Sequence, residues 1–384
     1  MEITGIICEY NPFHLGHMKQ FTMIRDESPD CAIVCLMSGN YVQRGMPAIF
    51  DKVIRAKTAM ECGADLVLEL PVAAALSSAE SFAAEGVRIL GGFCDNLSFG
   101  AETPNIEILL QTAHGLLTDD FSAYLKEDLS TGVSFPAARQ KALASMGLEC
   151  SFLDSPNNIL AIEYCKAILS QNSHMKAKPI LRQGNYHEVI PDSENPSATS
   201  VRRLLETDKR IDRFIPECAI KNYQNASVHT LASAEHAILY RLRTMTNEEY
   251  EALPFGSEGL WRKLMKNARN LSTLEEILVA TKSKRYTRTR LDRMVMCAFL
   301  GLTEQEMNAP VPYTRVLALN DKGREVLLKA RQTGDFLNIG EKQNHPYQQL
   351  ENRCDDLYGL FVSSPEKSGI TSNRRIIYQR TDIA

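Results

Sequence analysis

The sequence predicts an α/β protein in which a parallel sheet crossed by helices occupies residues 1–225 and a mainly α-helical region fills residues 226–384. Two observations carry this. Over roughly the first hundred residues, short apolar runs alternate with amphipathic stretches, the pattern of strands that cross over through helices. After about residue 225 the strand signal fades while helical periodicity continues, and the charge balance changes sign. Residues 1–225 carry 20 Lys and Arg against 28 Asp and Glu (−8), whereas residues 226–384 carry 23 against 19 (+4). That asymmetry suits a second half that meets a polyanion and a first half that handles something smaller.

Ile3 to Ile7 reads as the first strand, followed by a helix from near Gly16 to Arg25. Cys31 to Met37 is continuously apolar, as a strand buried on both faces should be. Ala48 to Cys62 has helical spacing and stops at Gly63; Asp65 to Leu70 is the next strand, broken by Pro71. Ala79 to Leu90 is a helix closed by Gly91 and Gly92, and Asn96 to Phe99 a fourth strand. Ile106–Leu117, Ala137–Met146 and Ile159–Leu169 follow as helices, with Pro179–Leu181 as a last strand. A loop rich in Pro, Asn and Ser over 184–198 leads into the helix Thr199–Leu205. Beyond it Ser233–Met245, Leu260–Asn270, Leu274–Thr281 and Thr289–Leu300 are helical in period.

Composition excludes several classes. With 384 residues, 44% hydrophobic and 23% charged, the chain is neither disordered nor a coiled coil and has material for two or three domains. No apolar run approaches the ~20 residues of a bilayer crossing, and no basic stretch precedes an apolar core at the start, so we expect a cytoplasmic protein without a membrane partner. Ten cysteines are scattered with no C-x-x-C pair, which points to reduced core thiols rather than a disulfide framework or zinc site.

The most informative stretch is GIICEYNPFHLGH, Gly5 to His17. It reads as a strand, a turn at Asn11-Pro12, and two histidines three apart at a helix start. His14 and His17 at that spacing share one side of the first turn, and Gly16 between them opens the backbone to a phosphate. Unpaired N–H groups and the positive dipole end of a helix favour an anion there, and imidazole donors add to it. The pair therefore suits a triphosphate gathering charge during displacement at the α-phosphorus. No third ligand at useful spacing supports zinc.

H-x-G-H after a first strand is the signature of the HIGH-motif nucleotidyltransferase superfamily, and EYNPFHLGH most closely resembles the bacterial tRNA(Met) cytidine acetate ligase family. The likeness extends through MSGNYVQRG at 37–45, SFGAE at 98–102, SPNNIL at 155–160 and KRYTRTRLDR at 284–293. The resemblance implies a Rossmann-like nucleotidyltransferase domain over 1–225 and a basic, helical tRNA-binding domain over 226–384. It also implies an activity: acetate is activated by ATP as acetyladenylate, and the acetyl group passes to N4 of the wobble cytidine in elongator tRNA(Met).

Site residues follow from position and resemblance together. ATP contacts are expected from Ile7, Cys8, Glu9, Tyr10, Asn11, Pro12, Phe13, His14, Gly16 and His17, with His14 and His17 catalytic. Gly100, after the fourth strand, lets an adenosine lie against backbone. At the helix beginning near 157, one asparagine is expected to cap and the other to bind nucleotide; the resemblance assigns Asn158, with Asn157 as alternative. Arg182 and Gln183 end the last strand and match a nucleotide contact of the family. Ser197, Thr199, Ser200 and Arg202 resemble the I-S-S-T-x-I-R element that closes over the triphosphate in related adenylyltransferases. Magnesium is expected with ATP, and the sequence offers no ligand for it.

Gly39, Asn40, Gln43 and Arg44 follow the second strand at the edge where open parallel sheets bind ligands, which makes them a candidate acetate loop. A surface connection with an ion-paired arginine is the alternative there. Lys282, Lys284, Arg285, Tyr286, Arg288, Arg290 and Arg293 place six cations within twelve residues, opposed locally by Asp292 alone, and suit an RNA backbone with Tyr286 free to stack on a base. Arg262, Lys263, Lys266 and Arg269 extend this patch. An adenylyltransferase of a small phosphorylated metabolite would use the same turn, but leaves the basic helical half unexplained. A non-catalytic RNA-binding protein would need the patch without the histidines.

Overall fold

The structure is a computed structural model and describes residues 1–182, 192, 195–207 and 210–380. The strands are β1 (Ile3–Cys8), β2 (Ala32–Ser38), β3 (Tyr41–Val42), β4 (Met46–Pro47), β5 (Leu66–Leu70), β6 (Asn96–Ala101), β7 (Lys176–Leu181), β8 (Thr314–Leu319), β9 (Phe336–Asn338) and β10 (Ile377–Tyr378). Every residue of β1, β2 and β5 is buried, which is why their sequences run apolar without alternation.

The main sheet has the order β10-β8-β5-β2-β1-β6-β7, with β9 also paired to β8. β5, β2, β1, β6 and β7 are parallel to one another, with β1 aligned so that Ile3 faces Ala32 and Cys8 faces Met37. Chain order reverses at β1, which lies between β2 and β6, and an open sheet places its ligand crevice at the carboxyl ends of strands around such a reversal. The H-x-G-H turn leaves β1 at that point, and Gly100 sits near the end of β6.

One face of the sheet packs on the helices Ala79–Leu90, Ile106–Gly115 and Pro156–Ser170. The other carries Leu15–Glu27, Lys52–Glu61 and Glu217–Gln224. A third core unites the helices Leu231–Thr244, Leu260–Asn270, Leu274–Thr281, Arg288–Leu300 and Pro346–Tyr358, and takes in Tyr41, Val72 and Leu76 from the first half. All ten cysteines are free thiols and most are buried.

Three differences from the sequence reading have physical causes. The helix expected from Ala48 begins at Lys52, because Asp51 caps it by accepting from the Val53 N–H, and 41–47 fold instead as the β3–β4 hairpin. The helix Asp119–Ser130 was not expected; its stripe is thin, with Phe121 buried and Leu125 and Leu129 half-buried among charged and polar residues. The late chain also returns to the sheet: β8 pairs antiparallel with β5, so residues of the second half complete the sheet of the first. A single six-residue strand between helices gives too short a signal to stand out from helical periodicity.

At that junction lies a buried ionic cluster. Lys52 Nζ donates to Glu69 (2.7 Å) and to both oxygens of Asp355 (2.7 and 2.8 Å). Arg315 of β8 bridges Asp355 (3.0 Å) and Glu351 (3.2 Å). The cluster pins the helix Pro346–Tyr358 to the carboxyl edge of β5.

Candidate active site

The first histidine is placed by β1 and its turn. After Cys8 the chain passes Tyr10 at φ 45° and a cis Asn11–Pro12 peptide into the helix Leu15–Glu27. His14 is the N-cap of that helix: its Nδ1 accepts from the Gly16 N–H (3.1 Å), and Nδ1 of His17 accepts from the His14 N–H (3.2 Å). The rings stack with centroids 3.8 Å apart. With both Nδ1 atoms accepting, the proton of each neutral ring sits on Nε2. Burial, then His17 and the cations Arg182 and Arg202, holds His14 well below its ordinary pKa; burial and Arg182 bring His17 to about 3. Both rings are therefore neutral donors near pH 7. A Cβ on Gly16 would lie 3.0 Å from Cε1 of His14, so this glycine also makes room for the capping ring.

These residues face a cavity of about 630 Å³, within the ordinary range for a small-molecule site. Of the expected residues, Ile7, Cys8, Glu9, Tyr10, Asn11, His14, Gly16, His17, Gln43, Arg44, Gly100, Asn157, Arg182, Thr199 and Arg202 line it. Arg202 donates to the Asn11 carbonyl (2.6 Å) and Thr199 (3.2 Å), and burial pushes its guanidinium down to about 10, still charged at pH 7. Arg182 donates to Asn157 Oδ1 (2.7 Å). His14, His17, Arg182 and Arg202 thus all line the cavity, with His14 inside the field of the other three and its Nε2 buried without a hydrogen-bond partner.

Other expected residues fall outside its wall. Phe13 is fully buried and its N–H donates to the Tyr223 hydroxyl (3.0 Å); Pro12 is buried beside it. Neither asparagine caps a helix: Ser155 occupies the N-cap, and Asn158 turns inward to Thr103 (3.0 Å) and the Phe152 carbonyl (3.0 Å), leaving Asn157 in the cavity. Ser197 caps the helix Ala198–Leu205 and pairs with Ser200, both buried. Gly39 and Asn40 belong to the ionic cluster: a Cβ at Gly39 would lie 2.3 Å from Glu69, and Asn40 donates to Asp355 (3.0 Å). Gln183 lies outside the described residues.

The sequence reading missed Lys19, whose Nζ donates to Asn195 (2.7 Å) at the cavity rim, and an apolar wall of Phe82, Phe99, Ile159, Leu160 and Tyr164. Leu160 and Tyr164 are four apart on one helix, a spacing that marks a shared face but not what that face meets. Among the described residues no group of three or more His, Cys, Asp or Glu stands ready to hold a metal ion.

The basic stretch is more paired than its sequence suggests. Arg285 meets Glu258 (2.6 Å), to which Tyr286 also donates (2.7 Å), and Arg288 meets Glu275 (2.7 Å) and Asp292 (2.8 Å). Arg290 holds the Phe255 carbonyl (3.0 Å), and Arg293 is buried, so it is not a surface contact. Lys282 and Lys284 are exposed, as are Arg262, Lys263, Lys266 and Arg269 along the helix Leu260–Asn270. Thr289 of the basic helix reaches the cavity wall.

A Rossmann-type sheet with a stacked H-x-G-H pair and two arginines at its switch point defines a nucleotidyl-transferring protein, and the HIGH Nucleotidyl Transferase family matches residues 1–373. The chain is 38% identical over 385 residues to the tRNA(Met) cytidine acetate ligase of Clostridium novyi, covering 95% of this chain and 94% of that one. It is 36% identical over 364 residues to the ligase of the same name from Clostridium perfringens, covering 89% and 90%. Among solved structures it resembles Thermotoga maritima TmcAL, at 28% identity over 99% of this chain and all of that one. The TM-score is 0.87 for the form bound with α-thio-ATP and 0.90 for the apo form. The chain belongs to the tRNA(Met) cytidine acetate ligase family of HIGH nucleotidyl transferases. None of its described helices is long and apolar enough to cross a membrane.

Proposed function

We propose that this protein activates acetate with ATP as acetyladenylate and transfers the acetyl group to N4 of the wobble cytidine of elongator tRNA(Met). The observation that carries the first half is the grouping of His14, His17, Arg182 and Arg202 in the wall of one cavity. That charge pattern fits a triphosphate, with the adenosine along β6 by Gly100 and Asn157. The names of the relatives support the acceptor.

In the first step an acetate oxygen attacks the α-phosphorus and the bond to the bridging oxygen of pyrophosphate breaks. Charge grows on that leaving oxygen, where neutral Nε2–H donors and guanidinium groups stabilise it without reorganising. Acetate is assigned to the Gln43–Arg44 turn, since Arg44 can meet a carboxylate. In the second step the cytidine amine nitrogen bonds to the acetyl carbon, the anhydride C–O bond breaks, AMP departs and the nitrogen loses a proton to solvent. Holding the reactants in line is worth ~7–11 kcal/mol in well-oriented systems, so no covalent enzyme intermediate is needed. Magnesium bound with the ATP would neutralise phosphate charge, and among the described residues no group of three or more His, Cys, Asp or Glu is placed to hold it. Residues 1–225 supply most of the ATP and acetate site and residues 226–384 the RNA surface, with Thr289 of the second part reaching the cavity wall.

The test is pyrophosphate release from ATP and acetate, with and without elongator tRNA(Met), with N4-acetylcytidine read in the recovered RNA by mass spectrometry. Release coupled to acetylated cytidine is the expected result. Release without modified RNA would favour an adenylyltransferase of a small phosphorylated metabolite, and binding of tRNA with no turnover would favour a non-catalytic scaffold.

A further inference from the structure

The β3–β4 turn touches three parts of the molecule at once. The Gln43 N–H donates to Glu9 Oε1 (2.7 Å) just beyond β1, and the Gln43 side chain donates to the Ser77 carbonyl (3.3 Å). The Gln43 carbonyl accepts from Nη1 of Arg293 (3.3 Å), on the basic helix Arg288–Leu300. Gly45 follows at φ +76°, and a Cβ there would lie 2.3 Å from the Arg293 backbone nitrogen and 2.4 Å from the Asp292 carbonyl carbon. Turn and helix therefore meet backbone to backbone, which only a glycine allows. Gln43, Arg44 and Thr289 all line the cavity, so the basic helix and the reaction cavity share this wall.

Arg293 is an expensive way to hold a carbonyl. Its residue is only 9% exposed, its guanidinium lies over the Phe255 ring at 5.0 Å, and its Nε is buried without a hydrogen-bond partner. A buried cation so incompletely satisfied costs more than an apolar side chain of similar size would, so packing alone does not account for it. A donor that fixes the Gln43 carbonyl does.

We infer that Arg293 is a positioning residue for acetyl transfer: it locks the Gln43–Gly45 turn to the basic helix, so that acyl group and acceptor amine are aligned across one rigid wall. This rests on the ligase reading above. It separates the two half-reactions, because forming the adenylate needs the turn only as an acetate contact, whereas transfer needs it registered against the helix that borders the RNA surface.

The experiment compares Arg293→Met, Arg293→Lys and Gly45→Ala with the unaltered protein in two assays. One is acetate-dependent ATP–pyrophosphate exchange, and the other is acetyl transfer to elongator tRNA(Met) with kcat and KM resolved. Misplacement by about 1 Å can cost ~100-fold, so Arg293→Met and Gly45→Ala should cut transfer kcat by ~30- to 100-fold, while the KM for acetate rises and the exchange rate at saturating acetate and the KM for tRNA stay within ~3-fold. Arg293→Lys, which keeps a donor, should recover most of the loss. Retained exchange reports a folded cavity, and Gly45→Ala carries the test if the methionine variant does not fold. Exchange falling in parallel with transfer, a raised KM for tRNA at unchanged kcat, or no change in either assay would each overturn the inference. An unaltered protein that performs exchange yet acetylates no cytidine overturns the ligase reading instead, and the inference with it.

Discussion

Lys52 and Asp355 are 303 residues apart in sequence and joined by hydrogen bonds of 2.7 and 2.8 Å, with the Lys52 side chain fully buried. This contact closes the late helix Pro346–Tyr358 onto the helix that follows the β3–β4 hairpin. Removing one partner of such a pair strands the rest: Lys52→Met leaves Glu69, Glu351 and Asp355 to share Arg315 as their remaining cation in the cluster. We expect a loss of about 3–5 kcal/mol, read as a lower denaturant midpoint, with ATP–pyrophosphate exchange surviving wherever the variant stays folded. A loss under about 1 kcal/mol would show that the cluster does not hold the late helix in place.

The pH behaviour of the imidazoles has a definite sign. His17 is pushed down to about 3 and His229, stacked on Tyr358, to about 4, both chiefly by burial. Bases with depressed folded pKa values bind fewer protons folded than unfolded, so their stabilisation is complete above the unfolded value of about 6.5. It is lost as pH falls from there toward 4 and below. Chemical denaturation between pH 7 and 4.5 should show stability dropping, and His229→Gln should flatten part of that slope. A curve unchanged by His229→Gln would refute the assignment.

Neutral imidazoles at the proposed catalytic positions also predict the rate profile. kcat/KM for exchange should show no inflection near pH 6.5, because neither His14 nor His17 titrates there in the free protein. Replacing either by Ala should cost ~100- to 1000-fold in kcat, the loss typical of one preorganised donor, and leave tRNA binding intact.

Asn157 and Asn158 should separate cleanly. Asn157→Ala removes a side chain that meets Arg182 (2.7 Å) and Glu102 (2.6 Å) on the cavity wall, and should weaken ATP use roughly 10-fold with little effect on stability. Asn158→Ala leaves the Thr103 N–H without its Asn158 acceptor and takes one of two donors from the Phe152 carbonyl, which keeps the Ser155 N–H, and should lower stability by about 1–3 kcal/mol. Thermal melts with and without ATP distinguish them, and the reverse pattern would return the nucleotide contact to Asn158.

On the proposed RNA face, the pairing of the arginines decides which substitutions matter. Arg285 and Arg288 already meet Glu258 and Glu275, whereas Lys263, Lys266 and Lys284 are exposed. Lys263→Gln with Lys266→Gln should lower tRNA affinity and reduce the slope of log affinity against log salt by ~0.7–0.9 per lost phosphate contact. Arg285→Gln should do less. Equal effects would mean the ion pairs open when RNA binds.

The H-x-G-H turn, the parallel strands and the late basic helices were legible from sequence, because each is local. A buried strand must be apolar throughout, the H-x-G-H spacing brings two imidazoles together at a helix start, and helical charge is read residue by residue. What only the tertiary structure decided was which neighbours those residues meet. Asn158 and Asn157 are adjacent in sequence and face opposite ways. Gly39 and Asn40 look like a ligand loop until Glu69 and Asp355 arrive beside them. Arg293 reads as one more surface cation until Gly45 packs against its backbone. A six-residue strand at 314–319 completes a sheet begun at residue 3. Propensity and periodicity fix local form, while long-range burial, which pairs groups hundreds of residues apart, determines what each side chain is for.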